Sequence, residues 1–436
     1  MRTIKTRSIH TYAFLSGVIC VGFCLLLLLA TPDIAQEKGS QDLLSQADAI
    51  LQQMSELTGL PIRSPVKKQV VSRPEVEKYL IQNLHTEMTP AELHAQEALV
   101  RALGLVSQDF DLEKFVISFY TEQAAGFYDP SRKTMFIADW IPAEMQTMAL
   151  SHELTHALQD QSWDLGHFLH SVRDNDDATA ARLAVVEGHA TAAMMQEATG
   201  ALNLGQVPSL ASLMESVLQE QFGDFPALAQ APYFIRMQAF FPYLQGLGFI
   251  QAGLQHGGWR DLGALFEHPP ESTHEIFEPQ SYFQHEVIPS IALAHPSALE
   301  GLPSLHFLAE NVMGELGYYS LIGQLVSDDE AKQLGPSWRG DRYLLYEHPG
   351  GDDYALVARV RWSNGEASQS FFRDYHTILT HKYPELTSDS RSSSDVFVGT
   401  AANRVCLLLR NGDECLWAEG LPPARTDAML AWLRGL

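Results

Sequence analysis

The sequence predicts an α+β fold that is mainly helical. Apolar residues recur at helical spacing through most of the first 285 residues, and strand-like segments become frequent after that point. A strand, turn and strand pattern precedes the most apolar of the early helices. With 436 residues, 46% of them hydrophobic and 10% aromatic, the chain can bury one large or two ordinary cores. We expect one domain over residues 42–285 and a C-terminal α+β domain over residues 286–436.

The N-terminal segment is typical of a membrane-directed leader. Residues 1–11 carry three basic residues, and the nineteen residues 12–30 carry no charge. This length suits a signal anchor or a cleaved signal peptide, followed by a linker over residues 31–41. Cleavage sites are poor, since Ala35 would have Asp33 at the −3 position, and this favours the anchor. By the positive-inside rule the basic end stays in the cytoplasm. The body is therefore expected outside the cytoplasm, either membrane-anchored or, after cleavage, secreted or periplasmic.

The rest of the chain is strongly acidic. The formal net charge is −24, and residues 31–436 alone reach −27 because 26 basic residues oppose 53 acidic ones. Nucleic-acid binding requires a basic surface, so this composition argues against a nucleic-acid partner.

Three helices and a hairpin are predicted ahead of residue 140. Apolar residues at helical spacing run from Ser40, a suitable N-cap, to Gly59, and shorter helices follow over residues 74–86 and 89–103. Residues 122–139 then give a strand, an Asp-Pro turn and a second strand. The edge of this hairpin is a candidate for pairing with an extended peptide. An internal hairpin with both edges covered fits the same pattern equally well.

The segment from Ala143 to Asp160 carries the motif His152-Glu153-Leu154-Thr155-His156. On a helix, residues four apart lie on one face, so the two imidazoles converge on one point. Zn²⁺ suits such a pair because a catalytic zinc site needs three protein ligands and leaves one position for water. Glu153, next to the first histidine, is placed to take a proton from that water. A helix that only happens to carry two histidines is the alternative.

A second long helix is predicted from Asp177 to about Thr199. Glu187 lies on its apolar face with Leu183, Ala184, Ala190 and Met194, and a buried carboxylate there is explained if it completes the metal site. His189 points about 200° along the helix from Glu187 and faces elsewhere. The intervening residues 160–177 are expected to form a polar loop, in which His167 and His170 are exposed and not ligands.

The region over residues 226–267 is helical and rich in aromatic residues, and a rigid turn-rich stretch follows to Pro279. Most of these aromatic side chains are expected in the core. Tyr243 is the exception, because a phenol near a zinc site can donate a hydrogen bond to a developing oxyanion. His268 and His274 are weaker candidates for the same role.

The C-terminal part is predicted as strands, a helix over residues 367–382 and a last helix, and it shows no catalytic constellation. Cys406 and Cys415 flank the turn signal Arg410-Asn411-Gly412-Asp413. They can form a cross-hairpin disulfide or remain two buried thiols, and in neither case are they metal ligands.

The motif of His152, Glu153 and His156, followed by Glu187 on a downstream helix, resembles the gluzincin metallopeptidases, which have a thermolysin-like plan. Tyr243-x-x-Gly246, Gly257-Gly258-Trp259 and Pro269-Pro270-x-Ser272-Thr273 are similar to a narrower bacterial and archaeal gluzincin-like family, over about residues 115–285. The resemblance implies a zincin-like domain with a small sheet, zinc ligands His152, His156 and Glu187, and Glu153 as catalytic base. The chain departs from that family at Glu278, where a histidine is usual, and at His189, where an aspartate is usual.

These observations lead us to expect a zinc metallopeptidase that acts on a peptide or protein substrate. Glu153 and Tyr243 are the expected catalytic residues, with Thr191 and Asp160 as candidates for contacts behind the metal ligands. Two alternatives stay open: an inactive metal-binding adaptor or envelope protein, and a zinc hydrolase of non-peptide bonds.

Overall fold

The computed structural model describes residues 22–25, 40–140, 143–172, 174–221, 225–299, 305–351 and 353–436. Within these residues the chain has mixed helices and strands with two separate sheets, which confirms the α+β class. Most of the predicted leader and linker, residues 1–21 and 26–39, lies outside the described residues. No helix in the described ranges is both long enough and apolar enough to span a bilayer.

The first three helices agree closely with their predicted bounds: α1 (Ser40–Thr58), α2 (Arg73–Glu87) and α3 (Pro90–Ala102). A fourth helix, α4 (Leu112–Gln123), was not predicted and takes the first two residues of the predicted hairpin. Capping boxes explain where two of them begin. Ser72 pairs with Glu75 at the start of α2, and Thr89 pairs with Glu92 at the start of α3.

A four-stranded sheet contains the predicted hairpin. Its strands are β1 (Gly22–Leu25), β2 (Lys67–Val71), β3 (Ala124–Asp129) and β4 (Thr134–Ala138), in the order β1-β3-β4-β2. Strand β2 runs parallel to β4, and β1 runs antiparallel to β3 with Phe23 opposite Phe127. Both edges of the hairpin are therefore paired, as in the internal alternative. Strand β1 comes from the segment predicted to be the apolar leader.

Two long helices follow the sheet, joined by a short one. They are α5 (Ala143–Trp163), α6 (Leu165–His170) and α7 (Asp176–Thr199). The prediction of a loop over residues 160–177 was wrong, because α5 continues to Trp163 and a further helical turn begins at once. Asp164 caps that turn by accepting a hydrogen bond from the His167 backbone N–H.

The aromatic region forms a set of helices around one long member. They are α8 (Leu210–Gln221), α9 (Pro226–Gln230), α10 (Tyr233–His256), α11 (Ala264–Glu267), α12 (Thr273–Phe277) and α13 (Pro279–Phe283). Helix α10 crosses α7 in backbone contact. A Cβ on Gly188 would lie 2.3 Å from the Gly246 carbonyl, and a Cβ on Gly246 would lie 2.2 Å from the Ala184 oxygen. Only glycine at both positions permits this approach.

The C-terminal part is built on a seven-stranded antiparallel sheet in the order β5-β6-β7-β11-β10-β9-β8. The elements are β5 (His306–Asn311), α14 (Gly314–Leu325), α15 (Asp328–Leu334), β6 (Trp338–Glu347), β7 (Tyr354–Trp362), α16 (Gly365–Lys382), β8 (Thr387–Ser388), β9 (Val396–Ala401), β10 (Arg404–Asn411), β11 (Glu414–Leu421) and α17 (Thr426–Leu433). Aromatic residues of α14 and α16 pack on one face of the sheet, and α17 packs on the other.

The register of β10 and β11 decides between the two alternatives for the cysteines. Cys415 lies opposite Arg410, which is four residues from Cys406 along β10. That spacing corresponds to about 13 Å, whereas a disulfide needs Cα atoms within about 7 Å. Both cysteines are buried free thiols.

Candidate metal centre

The two histidines of the motif lie on α5 in the interior of the protein. Their helix packs against α1, α7 and the strands β3 and β4, so it is enclosed on several sides. Leu150, Leu154, Ala157 and Leu158 are all fully buried. His152 and His156 are each 1% exposed, and Glu187 of α7 is also 1% exposed. Three polar side chains therefore meet where water has little access.

The three side chains converge on one point. His152 Nε2 lies 3.0 Å from His156 Nε2 and 3.1 Å from Glu187 Oε2, and His156 Nε2 lies 3.3 Å from the same oxygen. Ligand atoms placed tetrahedrally at about 2.0–2.1 Å from zinc are about 3.3 Å apart. The triangle thus has the dimensions of three corners of a zinc tetrahedron. In the described part of the chain, these three side chains form the group of His, Cys, Asp or Glu residues whose ligand atoms lie close enough together to hold one metal ion.

The charges also fit a cation. Two ring nitrogens at 3.0 Å, with a carboxylate oxygen beside both, require a proton or a metal between them. Glu187 Oε1 is buried and has no hydrogen-bond partner in the described structure. Within the described ranges the ion-pair partners of Glu187 are these two histidines, without a lysine or arginine. A buried carboxylate in this setting is stabilised by a divalent cation.

The pKa directions follow from burial and from the Glu187 charge. Burial lowers the pKa of His152, and the Glu187 carboxylate only partly opposes this. For His156 burial acts in the same direction, but Glu187 outweighs it and raises the pKa to about 9. The positive charge on His156 in turn lowers the pKa of Glu187 to about 2, against the effect of burial. Without a metal, one proton is therefore held within the triangle.

Gln159 connects the centre to α7. Its Oε1 lies 2.8 Å from His156 Nδ1, and its Nε2 lies 3.0 Å from the Val186 carbonyl oxygen and 3.0 Å from His189 Nδ1. Gln159 is fully buried. His189 is not in the triangle, and burial lowers its pKa to about 3, so it is neutral. Gln159 was missed from the sequence, although it lies three residues after His156 on the same predicted helix.

Glu153 is enclosed between α5 and the sheet. It is fully buried, and its charge contributes to the raised pKa of His156. A Cβ on Gly126 of β3 would lie 3.6 Å from Glu153 Cγ. Strand β3 therefore passes directly over the expected catalytic base.

Two tyrosines lie beside the triangle. The Tyr243 ring is stacked near His152, with 6.2 Å between the ring centroids and 27° between the planes. Tyr120 of α4 is 2% exposed, and burial together with the Glu187 charge raises the pKa of its hydroxyl. Tyr120 was missed because nothing in its local sequence distinguishes it from the core aromatic residues around it.

The remaining residues singled out from the sequence do not belong to the triangle. His274 is buried in an ion pair with Glu315 of α14, and His268 is exposed. Asp160 accepts hydrogen bonds from Tyr128 and Lys133, so it fastens the hairpin to α5 and does not support a metal ligand. Thr191 Oγ1 is buried without a partner in the described structure. His167 is exposed, as predicted, whereas His170 is half-buried and pairs with Glu87.

Only the C-terminal part of the chain matches a known protein family. A family model described as Domain of unknown function (DUF8575) matches residues 305–430. These residues run from the start of β5 into α17 and contain none of the side chains of the triangle. No curated protein and no solved structure matches the chain.

Proposed function

We propose that the chain is a zinc-dependent metallopeptidase with a zincin-like domain over residues 42–285. The observation that carries the proposal is the triangle of His152, His156 and Glu187, whose sides of 3.0, 3.1 and 3.3 Å fit tetrahedral zinc. Zinc, when bound, lowers the pKa of a water molecule toward neutrality and polarises the carbonyl group of the scissile bond.

The residues of the chain supply the remaining chemistry. Glu153 accepts a proton from the attacking water and passes it to the leaving amine. Its place supports this role, because it follows His152 directly on α5 and is fully buried under β3. Tyr243, beside His152, donates a hydrogen bond to the oxyanion that develops on the carbonyl.

The substrate is a peptide or protein segment in an extended conformation. Strand β3 passes over Glu153 at Gly126, and its outer edge, which pairs with Gly22–Leu25 in this structure, becomes free for a substrate when residues 12–30 span the membrane or are cleaved off. A substrate segment paired in the same manner would lie across the triangle with its backbone held by hydrogen bonds.

The body of the protein acts outside the cytoplasm, anchored by residues 12–30 or released after their cleavage. The basic residues 1–11, the uncharged residues 12–30 and the acidic remainder support this location. A reporter that is active only after export, fused behind residue 60, tests it. An inactive reporter together with an intact Met1 in the soluble native protein would contradict it.

The decisive experiment separates metal binding from catalysis. Glu153→Gln should keep close to one zinc per chain and lower kcat/KM for a cleaved peptide by about 100-fold to 10,000-fold, the usual contribution of a general base. His156→Ala should lose both zinc and activity. Glu197→Gln, the same change at a partly exposed position of α7, is the matched control and should alter neither. Unchanged turnover by Glu153→Gln, or a wild-type protein without zinc, would refute the proposed function.

A further inference from the structure

The amide of Gln159 has only one orientation that satisfies its neighbours. The Val186 carbonyl oxygen can only accept a hydrogen bond, so the group 3.0 Å from it must be the NH₂ group of Gln159. The amide oxygen then faces His156 Nδ1 at 2.8 Å. The second N–H of the amide points at His189 Nδ1, which accepts it. Every polar atom of this side chain is therefore assigned.

The amide orientation determines the tautomer of His156. Because Gln159 Oε1 can only accept, His156 Nδ1 must carry a proton and donate it. In the neutral ring the lone pair then lies on Nε2, and that atom is the one directed at Glu187 and His152. The Val186 carbonyl thus fixes the amide, and the amide fixes which histidine nitrogen is free to bind a metal.

The same side chain joins the two helices that carry the triangle. His156 belongs to α5, whereas Val186 is the residue before Glu187 on α7. His189 supports the amide from behind, and its ring packs edge-on against Trp259 and Phe266. His152 lacks such support, because its Nδ1 is buried without a hydrogen-bond partner in the described structure.

We infer that Gln159 is the positioning residue of this centre, holding His156 in the tautomer that presents Nε2. This inference rests on the proposed zinc site but not on peptide hydrolysis. It also explains the position of His189, which keeps the amide of Gln159 oriented by accepting its second N–H. Because the orienting group is a neutral amide and not a carboxylate, it adds no negative charge behind the ligand.

The test compares three variants in the full chain. Gln159→Met keeps the length of the side chain but removes the acceptor and both donors, and it should weaken zinc binding by about 10-fold to 100-fold. Gln159→Glu keeps an acceptor for His156 Nδ1–H and loses the donors to Val186 and His189. It should retain zinc affinity within about 3-fold while its metal-free form unfolds at a lower temperature.

Gln251→Met is the matched control. Gln251 is also buried and ties elements together, accepting from the Leu210 N–H and donating to the Leu204 and Val207 carbonyl oxygens, but it lies outside the centre. It should lower the melting temperature of the metal-free protein and leave zinc affinity unchanged.

Zinc affinity is measured by competition with a chelator, and the coordination of the bound ion by the visible absorption of the Co²⁺-substituted protein. A changed Co²⁺ spectrum and weaker zinc binding in Gln159→Met, with neither change in Gln251→Met, would support the inference. Equal zinc affinity in Gln159→Met and wild type, or an equal loss in Gln251→Met, would overturn it. If Gln159→Met does not fold, a folded Gln159→Glu with a 10-fold loss of affinity overturns it as well. A wild type that binds zinc without cleaving peptides would refute the proposed function and leave this test intact.

Discussion

Replacing Gly246 by alanine probes the contact between α7 and α10. The added Cβ would lie 2.2 Å from the Ala184 oxygen and 3.0 Å from its carbonyl carbon. Both atoms belong to the backbone, so no side-chain rotation relieves the overlap. A normal contact requires the helices to separate by about 1 Å.

The separation should move α10 and leave α7 in place. Helix α7 is held to α5 through Gln159, whereas α10 meets α7 at the glycine crossing itself. Tyr243 is on α10, three residues before Gly246, and would withdraw from His152. A misplacement of about 1 Å can cost up to about 100-fold in rate. Glu187 stays beside the histidines, so zinc affinity should change little.

Gly248→Ala provides the matched comparison on the same helix. Its added Cβ would meet only the Ala211 Cβ, at 3.5 Å, which is an ordinary contact. Both substitutions gain the same helix propensity, about 1 kcal/mol, so this gain cancels between them. The unfolding free energy of Gly246→Ala should therefore be lower than that of Gly248→Ala by the overpacking cost, about 1–3 kcal/mol. It is measured by urea unfolding, with kcat/KM and zinc affinity determined on the same samples. Equal stability and equal activity of the two variants would refute the close crossing.

Two further predictions concern carboxylates of α7. Glu187→Ala should abolish tight zinc binding and activity, whereas His189→Ala should keep its zinc content, because His189 contacts Gln159 and not the triangle. Zinc analysis of the two purified variants measures the difference. Loss of zinc in His189→Ala but not in Glu187→Ala would require a site of three histidines. Burial raises the pKa of Asp177 to about 8, against the effect of its hydrogen bonds from Thr273. Because the folded pKa is above the unfolded value, the folded protein holds that proton more tightly, and stability is lost as pH rises from about 4 to about 8. Asp177→Asn keeps an acceptor for Thr273 and should exceed wild type in unfolding free energy by on the order of 5 kcal/mol at pH 8.5, with little difference at pH 4; a gain of the same size at both pH values would contradict this explanation.

Local sequence predicted the parts of the molecule that depend on neighbouring residues. The bounds of α7 were predicted to within one residue, because its apolar face and its acidic first turn are properties of the segment itself. The convergence of His152 and His156 follows from helix geometry alone. The placement of Glu187 beside them was also expected, since a carboxylate on an apolar face needs a partner.

Features that depend on distant parts of the chain were not predictable in the same way. The continuation of α5 from Asp160 to Trp163 was missed because Asp160 and Gln161 look like loop residues in sequence. In the structure both have a partner far along the chain, Asp160 on the hairpin and Gln161 at Arg63 and Ser64. The separation of Cys406 from Cys415 likewise depends on the strand register, which the turn signal between them did not reveal.

Helix α7 carries two buried carboxylates that have different kinds of partner. Asp177 and Glu187 are both carboxylates on buried positions of this helix, 3% and 1% exposed. The rule that a buried carboxylate needs a partner applies equally to both and does not say which partner. Asp177 meets the N–H and hydroxyl of Thr273, whose hydroxyl also accepts from the Leu316 N–H, so it joins α12 and α14 to α7. Glu187 meets two histidines that have no other anion in the triangle. The groups that face each carboxylate, and not its burial, distinguish the structural contact of Asp177 from the proposed metal ligand Glu187.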